Sequence, residues 1–232
     1  MLNKNSLIKS VLYRLYSSLI TFIISYFLTG KLILAVSIGF LDMGLKIFSY
    51  YFFDEVWLRI TKSKIKPSVI WLTGLSGSGK TTIANDLIEK LKKKSITPVS
   101  LDGDEIRNII KQHGFDEDSR KAHNLSVGYI SSLFEKQGNV VVVSLISPYI
   151  DIRNEVRRMC NNFIEIYVST DLSTCINRDP KGLYKKVQAG EISNFTGITA
   201  PYFPPLNPEI ILDTSKLSVD DCSNLILNFL KK

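Results

Sequence analysis

The chain has 232 residues, of which 45% are hydrophobic and 22% are charged, and its formal net charge is +7. Nine of the 29 basic residues but only three of the 22 acidic residues lie in residues 1–67, so the rest of the sequence is almost neutral. A membrane surface explains this N-terminal charge better than DNA or RNA does, and we expect no nucleic-acid partner. The length accommodates one ordinary domain with an appended segment.

Two apolar stretches occupy most of residues 1–60. Residues 11–28 and residues 32–53 are each long enough to cross a bilayer as a helix, and only a three-residue turn separates them. A helical hairpin satisfies its backbone polar groups internally, as lipid requires. The sequence therefore predicts a two-helix membrane hairpin over residues 1–60, in contact with lipid.

The charged residues of this segment bear on its orientation. Arg14 lies near the start of the first stretch, where its side chain can reach the membrane interface. Asp42 and Lys46 are spaced to pair on one helix face. Basic residues flank the hairpin on both sides, so the positive-inside rule predicts two spans of an inner or cytoplasmic membrane, with the rest of the chain in the cytoplasm. An interfacial or soluble helix pair is the alternative, because Asp42 and Lys46 interrupt the second stretch.

A short basic segment follows the hairpin. Residues 61–67, TKSKIKP, predict a linker, because the run is polar and ends in proline. In residues 68–232, apolar runs alternate with amphipathic stretches, and the strand candidates are VIWLTG, TPVSLD, NVVVVSLI, FIEIYVST and PEIILDT. This alternation predicts an α/β fold of the P-loop kinase type, with a mostly parallel sheet flanked by helices.

The first strand candidate leads directly into a P-loop. GLSGSGKTT follows the apolar run and opens a predicted helix, so glycine-rich backbone and the helix N-terminus can bind phosphate together. We expect Lys80 to reach the outer phosphates of ATP and the Thr81 hydroxyl to ligate Mg²⁺. The predicted ATP and magnesium site comprises Gly74, Leu75, Ser76, Gly77, Ser78, Gly79, Lys80, Thr81 and Thr82.

The second strand candidate ends in LDGDEIR. Ligands of open parallel sheets collect at the carboxyl ends of the strands, so Asp102 and Asp104 should lie beside the P-loop. Carboxylates there can order magnesium-bound water and accept the proton of an attacking hydroxyl, and Arg107 can hold an anionic acceptor. The alternative is that Asp104 is only the N-cap of the following helix.

Three scattered cysteines, Cys160, Cys175 and Cys222, form neither a disulfide framework nor a cluster with metal-ligand spacing. Small buried apolar side chains are expected at these positions, in a reducing, cytosolic compartment. The cysteines therefore indicate no disulfide and no metal site.

Seven segments together resemble one kinase family. They are GLSGSGKTT, LDGDEIR, GFDEDSR, LISPY, FIEIYVST, RDPKGLYKKVQAGEISNFTGI and NPEIILDT, and their order and spacing are similar to those of adenylylsulfate kinases over about residues 66–232. The resemblance implies transfer of the ATP γ-phosphate to the 3′-hydroxyl of adenosine 5′-phosphosulfate, which yields 3′-phosphoadenosine 5′-phosphosulfate in sulfate activation. The N-terminal segment resembles a family of small predicted two-helix membrane domains of unknown function, through SLIKSVLYRLYSSLITFIISYFLTG and KIFSYYFFDEVW.

The resemblance implies roles for individual residues. Residues 179–198 resemble a mobile lid over both nucleotides, in which Lys181 and Lys185 are placed to cover phosphates and Phe195 to stack on the acceptor base. It adds Arg178 to the ATP site, and matches Asp102 and Asp104 to the acids near the metal and the attacking hydroxyl. The implied acceptor-binding residues are Arg107, Phe115, Arg120, His123, Ile146, Ser147, Lys181 and Phe195.

Ser147 also counts among the catalytic candidates, with Lys80, Asp102 and Asp104. Its counterpart in the family is sometimes labelled a phosphoserine intermediate. In-line transfer between two bound nucleotides needs no covalent step, and no base adjacent in sequence would activate this hydroxyl. We expect Ser147 to position the acceptor instead.

Several positions depart from the family pattern on the acceptor side. Leu125, Ser126 and Ile150 stand where the family has arginines, and His123 stands where it has an asparagine that contacts the acceptor. The other departures are Asp116 and Ser119. These changes leave open a different acceptor, such as another nucleotide conjugate in surface-polysaccharide modification, and a non-catalytic nucleotide-binding membrane module. A homodimer also stays open.

Overall fold

The computed structural model describes the backbone of residues 4–61, 65–109 and 114–231, with side chains over 13–53, 65–109 and 114–231. The chain divides into two compact units, Met1–Lys62 and Ser63–Lys232. The predicted linker falls partly on residues 62–64, which lie outside the described part.

The first unit is a helical hairpin. Helices α1 (Lys4–Thr29) and α2 (Leu32–Thr61) pack along each other, and Gly30 joins them with a left-handed φ of 63°. Within the described helices, one segment, Leu32–Phe53, is long and apolar enough to cross a membrane. The second predicted span therefore has this support, and two spans stay a prediction.

Polar side chains of the hairpin meet between its helices. The Asp42 carboxylate accepts hydrogen bonds from Ser18 Oγ at 3.0 Å and Lys46 Nζ at 2.6 Å, and Lys46 also donates to Ser17 Oγ at 2.8 Å. Asp42 and Lys46 thus form the pair that their spacing predicts. Most of the large apolar side chains described in this unit are exposed. The Asp42–Lys46 pair therefore lies between the helices, while much of the apolar surface is exposed.

The second unit contains a five-stranded sheet in which every pairing is parallel. The strands are β1 (Ser68–Thr73), β2 (Val99–Asp102), β3 (Val140–Ser144), β4 (Phe163–Val168) and β5 (Ile210–Leu212), in the order β2-β3-β1-β4-β5. The central strand β1 pairs with β3 on one side and β4 on the other. The predicted α/β class with a parallel sheet is confirmed.

Helices cover both faces of this sheet. They are α3 (Lys80–Lys92), α4 (Gly103–Ile109), α5 (Glu117–Lys136), α6 (Ile150–Met159), α7 (Leu172–Arg178), α8 (Leu183–Gln188) and α9 (Val219–Phe229). Successive side chains of a strand point to opposite faces. Ile70 and Leu72 accordingly pack with α3 and α9, whereas Val69 and Trp71 pack with α5 and α6. The core thus has two layers, one on each side of β1.

All three cysteine thiols are free; Cys175 and Cys222 are buried, and Cys160 is half-buried. Within the described ranges, no group of three or more His, Cys, Asp or Glu side chains could hold a metal ion.

Candidate active site

The P-loop connects β1 to α3 at the carboxyl edge of the sheet. Two of its glycines are required by geometry: a Cβ on Gly74 would lie 2.5 Å from the Val168 carbonyl oxygen, and Gly79 has a φ of 99° where α3 begins. Only glycine adopts such a φ without strain. The loop therefore has the backbone shape that its sequence predicts.

Lys80 is folded back into this loop. Its side-chain nitrogen donates to the Leu75 carbonyl oxygen at 2.6 Å and to Ser78 Oγ at 3.4 Å. The residue is buried, and burial lowers its pKa from 10.5 to about 8. The ammonium group is thus held inside the loop and is easier to deprotonate than an ordinary lysine.

Three oxygen-bearing side chains meet beside the P-loop. Thr81 Oγ1 lies 3.2 Å from the carboxylate of Asp102 and 3.1 Å from Ser144 Oγ. They come from the start of α3 and from the ends of β2 and β3. Oxygen ligands of this kind suit Mg²⁺, so the residues present fit the predicted metal site. Ser144 was missed from the sequence, although its place at the end of a strand beside β1 is a usable signal.

The paired acids of LDGDEIR have different surroundings. Asp102 accepts a hydrogen bond from the Asp104 backbone N–H at 3.0 Å and so holds the start of α4. The alternative that Asp104 is the N-cap of α4 is therefore wrong, because the Asp102 side chain caps this helix. The Asp104 carboxylate is exposed and forms an ion pair with Lys181. Asp102 thus faces Thr81, and Asp104 faces the segment predicted as a lid.

That segment lies over the P-loop. The Tyr184 hydroxyl donates to the Ser76 carbonyl oxygen at 3.0 Å, and the Tyr184 ring packs edge-on against Phe195 with centroids 4.9 Å apart. Arg178, just before the segment, donates to Thr214 Oγ1 at 2.7 Å and to the Thr214 carbonyl oxygen at 2.9 Å. Phe195 is buried in this contact while still lining the central cavity.

The acceptor-side arginines are held by backbone carbonyls. Arg107 donates to the Gly114 oxygen at 2.7 Å and lies 4.9 Å from the centroid of the Phe115 ring. Arg120 donates to the Asn194 oxygen at 2.6 Å, which connects α5 to residues 179–198. The cations are thus pre-oriented at one end of the cavity.

His123 replaces the family asparagine as a neutral group. It is 1% exposed, and its Nε2 lies 3.1 Å from the Gly103 carbonyl oxygen. Burial, and then the nearby Arg107 guanidinium, lower its pKa from 6.5 to about 4. A neutral imidazole beside a carbonyl donates its Nε2 proton, so His123 fixes the Asp102–Asp104 turn and adds no cation.

The turn after β3 carries Ile146 and Ser147. Thr73 Oγ1 donates to the Ile146 oxygen at 2.7 Å, and the buried Arg153 donates to the Ser147 oxygen at 2.6 Å. Ser147 has a φ of 46°, and its Oγ has no hydrogen-bond partner among the described residues. Thr73 was missed from the sequence because its partner lies 73 residues away, and Arg153 was missed because it belongs to none of the recognised motifs.

Asp116 and Ser119, two of the departures from the family pattern, have a structural role at the start of α5. Asp116 is the N-cap of α5: its carboxylate accepts from the Ser119 N–H at 2.9 Å and from Ser119 Oγ at 2.6 Å. These hydrogen bonds hold the pKa of Asp116 below its usual value. Asp116 and Ser119 therefore replace the family pattern with a matched capping pair.

One cavity of about 790 Å³ brings the predicted residues together. Leu125, Ser126 and Ile150 do not line it, so the residues at the lost arginine positions are not part of its wall. Gly74, Leu75 and Ser78 also lie outside the lining. The predicted site residues that line it are Ser76, Gly77, Gly79, Lys80, Thr81, Thr82, Asp102, Asp104, Arg107, Phe115, Arg120, His123, Ile146, Ser147, Arg178, Lys181 and Phe195.

Each of the two units of the chain matches a known protein family. Residues 66–213 match the family described as adenylylsulphate kinase, and residues 7–58 match the family described as predicted membrane protein DUF2061. The adenylyl-sulfate kinase of Bacillus velezensis is 45% identical over 173 residues, which are 73% of this chain and 88% of that protein. That of Rippkaea orientalis is 51% identical over 142 residues, 61% of this chain and 78% of that protein.

A solved structure shows the same fold. The structure of the Mycobacterium tuberculosis APS kinase CysC in complex with AMPPNP and APS is 35% identical, with a TM-score of 0.69, and covers 72% of this chain and 99% of that one. The predicted resemblance is confirmed by these matches. The chain belongs to the adenylyl-sulfate kinase family of phosphotransferases, which act on an alcohol group.

Proposed function

We propose that the chain is a membrane-tethered kinase that transfers the γ-phosphate of ATP to the 3′-hydroxyl of adenosine 5′-phosphosulfate. The observation that carries this proposal is that one cavity joins a P-loop to two arginines and two phenylalanines on its far side. A phosphate-binding half and an anion- and base-binding half suit two nucleotides lying end to end. Family membership supports the same activity.

The P-loop half binds ATP in this proposal. Phosphate oxygens replace the Leu75 carbonyl as the partner of Lys80, and the loop N–H groups and the start of α3 surround the β-phosphate. Arg178 lies at the outer end of the loop, where it is placed to contact the nucleotide.

Thr81 and Asp102 would hold Mg²⁺, directly or through water, with Ser144 beside them. When bound, the ion neutralises charge on the β- and γ-phosphates. The role of the protein here is to hold the hydroxyl and the carboxylate at a fixed separation beside Lys80.

Asp104 is the base in this proposal. Asp102 is engaged by Thr81 and by the α4 backbone, whereas Asp104 is exposed to the cavity. In the free protein Lys181 forms an ion pair with the Asp104 carboxylate. Binding of ATP would break this ion pair, because the phosphates compete for the lysine. Asp104 would then accept the 3′-hydroxyl proton while Lys80 and Lys181 stabilise the transferring phosphoryl group.

The far half binds the acceptor. Arg107 and Arg120 provide cations for the phosphosulfate, and Phe115 and Phe195 provide apolar surface for the base. Ser147 is a positioning residue in this proposal, because its carbonyl is fixed by Arg153 and the residue belongs to the cavity wall. No covalent phosphoserine step is part of the proposal.

Residues 1–60 form the tether, residues 61–67 the linker and residues 68–232 the kinase domain in this proposal. The DUF2061 match and the apolar segment Leu32–Phe53 support membrane association. The flanking basic residues support two spans with the kinase domain in the cytoplasm.

A nucleotide conjugate other than adenosine 5′-phosphosulfate is the second candidate acceptor. The observation that favours it is neutral His123 in the cavity wall, where the family has an asparagine. The position of Leu125, Ser126 and Ile150 outside the lining argues for the first candidate. The position of Lys80, Thr81 and Asp104 argues against a non-catalytic module, because all three line the cavity and a module that only binds nucleotide does not need Asp104.

Turnover by the full chain in detergent tests the proposal. The purified protein is given ATP, Mg²⁺ and adenosine 5′-phosphosulfate, and nucleotides are separated by anion exchange. We expect 3′-phosphoadenosine 5′-phosphosulfate with the wild type and none with Lys80→Ala. ATP binding without this product in the wild type would contradict the proposed acceptor.

A further inference from the structure

Unpaired buried polar atoms are few in the described part of the chain. Four side-chain atoms there are buried without a hydrogen-bond partner: Ser68 Oγ, Trp71 Nε1, Asn124 Nδ2 and Ser147 Oγ. Ser68 and Trp71 do not line the cavity, whereas Asn124 and Ser147 do. Leaving a buried donor unpaired costs more than a typical made hydrogen bond contributes. Two of these atoms therefore belong to residues of the cavity wall, next to the space that a bound ligand would occupy.

Asn124 is not explained by packing. It lies on α5, is 3% exposed, and follows Arg120 by one helical turn on the buried side of the helix. Val127, on the same side, packs into the apolar cluster beneath α5. An apolar side chain would suit such surroundings better than an amide. A local rule broken without compensation in the free protein is typical of functional sites.

The neighbours of Asn124 indicate what it binds. Arg107 and Arg120 supply the positive charge of this half of the cavity, and His123 donates to the Gly103 carbonyl. The Asn124 amide adds a neutral donor to the same wall. We propose that Asn124 is a specificity-determining residue, donating from Nδ2 to an oxygen or nitrogen atom of the acceptor nucleotide. This inference rests on the proposed function and adds a residue to it.

The test compares three variants of the full chain purified in detergent. Asn124→Leu keeps the branched shape and replaces the polar amide with methyl groups, and Asn124→Asp keeps the shape and removes the donor. Ser68→Ala is the matched control, because it removes an unpaired buried atom that does not line the cavity.

We expect both Asn124 variants to raise the KM for adenosine 5′-phosphosulfate about tenfold or more and to leave the KM for ATP unchanged. The melting temperature of ligand-free Asn124→Leu should equal or exceed that of the wild type, since an unpaired amide has been removed. Ser68→Ala should change neither KM. An unchanged acceptor KM in whichever Asn124 variant folds overturns the inference.

A binding measurement separates this inference from the proposed function. If the wild type does not phosphorylate adenosine 5′-phosphosulfate, the proposed function fails. The role of Asn124 is then tested separately. Calorimetry measures the Kd of adenosine 5′-monophosphate for protein saturated with a non-hydrolysable ATP analogue. A roughly tenfold weaker Kd in Asn124→Leu supports the inference; equal binding, or no binding to the wild type, overturns it.

Discussion

Lys80 shows how burial by the fold changes the ionisation of a single residue. Burial in the P-loop lowers its pKa from 10.5 to about 8. Between these values the unfolded chain binds more protons at this position than the folded protein does. Burial of Lys80 therefore lowers the free energy of unfolding fully below about pH 8. This destabilisation declines as the pH rises from about 8 towards 10.5.

The same pKa predicts a pH dependence of ATP binding. At pH 9 about one tenth of Lys80 is protonated in the free protein, so we expect ATP to bind up to about tenfold more weakly than at pH 7. Calorimetry on the full chain at both values measures this change. The Lys80→Met variant should bind ATP weakly at both values, and a wild-type Kd that stays constant to pH 9 would refute the assignment.

Asp104 is the second residue with a specific prediction. Replacement by asparagine keeps its shape and removes the base, so we expect kcat to fall about 10²- to 10⁴-fold with little change in the KM for ATP. Glu105→Gln is the matched control, because Glu105 is the next carboxylate of α4 and does not line the cavity. Activity of Asp104→Asn within threefold of the wild type would remove Asp104 from the mechanism.

Residue identities were easier to predict than their partners. The P-loop and the two acids were predicted from short motifs, and both have members in the cavity lining. Of the two lid lysines that the family resemblance implied, Lys181 lines the cavity and Lys185 does not. The alternative in which Asp104 is only an N-cap named the wrong carboxylate, because Asp102 accepts from the backbone N–H of Asp104 and either side chain fits the local pattern. Asn124 gave no signal at all, since an unpaired amide is recognised only when the surrounding atoms are known.

Among the elements, α6 supports the acceptor half from behind. Its Arg153 is 1% exposed and donates from Nε to Glu165 on β4 at 2.7 Å and from Nη1 to the Ser147 oxygen at 2.6 Å. The helix therefore fixes the turn that follows β3. This contact joins three elements, which is why the alternation of strands and helices in the sequence predicted the sheet and not this connection.

Arg153→Met should destabilise the protein and loosen that turn. Removing one partner of a buried ion pair typically costs about 3–5 kcal/mol of unfolding free energy, and we expect about 3 because Arg157 still pairs with Glu165. Chemical denaturation measures the change. Arg158→Met on the same helix is exposed and should change stability by less than about 0.5 kcal/mol. Equal stability of the two variants would contradict this role of α6.

At the scale of the whole molecule, two units with different surfaces are joined in one chain. The hairpin exposes large apolar side chains, whereas the second unit buries apolar residues in two clusters on the faces of the sheet and in a third around Tyr184 and Phe195. This contrast was predictable, because apolar stretch length and strand periodicity are properties of the sequence itself. The number of spans is not settled by those properties, since Asp42, Lys46 and Arg14 lie within the apolar stretches.

Removal of the hairpin tests the tether. We expect the full chain to sediment with membranes and a variant beginning at Ser63, the first residue of the second unit, to be soluble, with kcat within about threefold of the full chain. Ultracentrifugation of cell lysates followed by the kinase assay measures both properties. A full chain that remains in the soluble fraction would contradict the tether, and a folded but inactive variant would show that the hairpin does more than anchor.

The central claim is that the acceptor is adenosine 5′-phosphosulfate. Its most direct test is the kcat/KM of the full chain for this nucleotide and for a set of nucleoside diphosphate conjugates, at saturating ATP and Mg²⁺. We predict that adenosine 5′-phosphosulfate exceeds every conjugate at least a hundredfold, with the new phosphate on its 3′-oxygen. A conjugate phosphorylated as efficiently, or a phosphate on another atom, would contradict the claim.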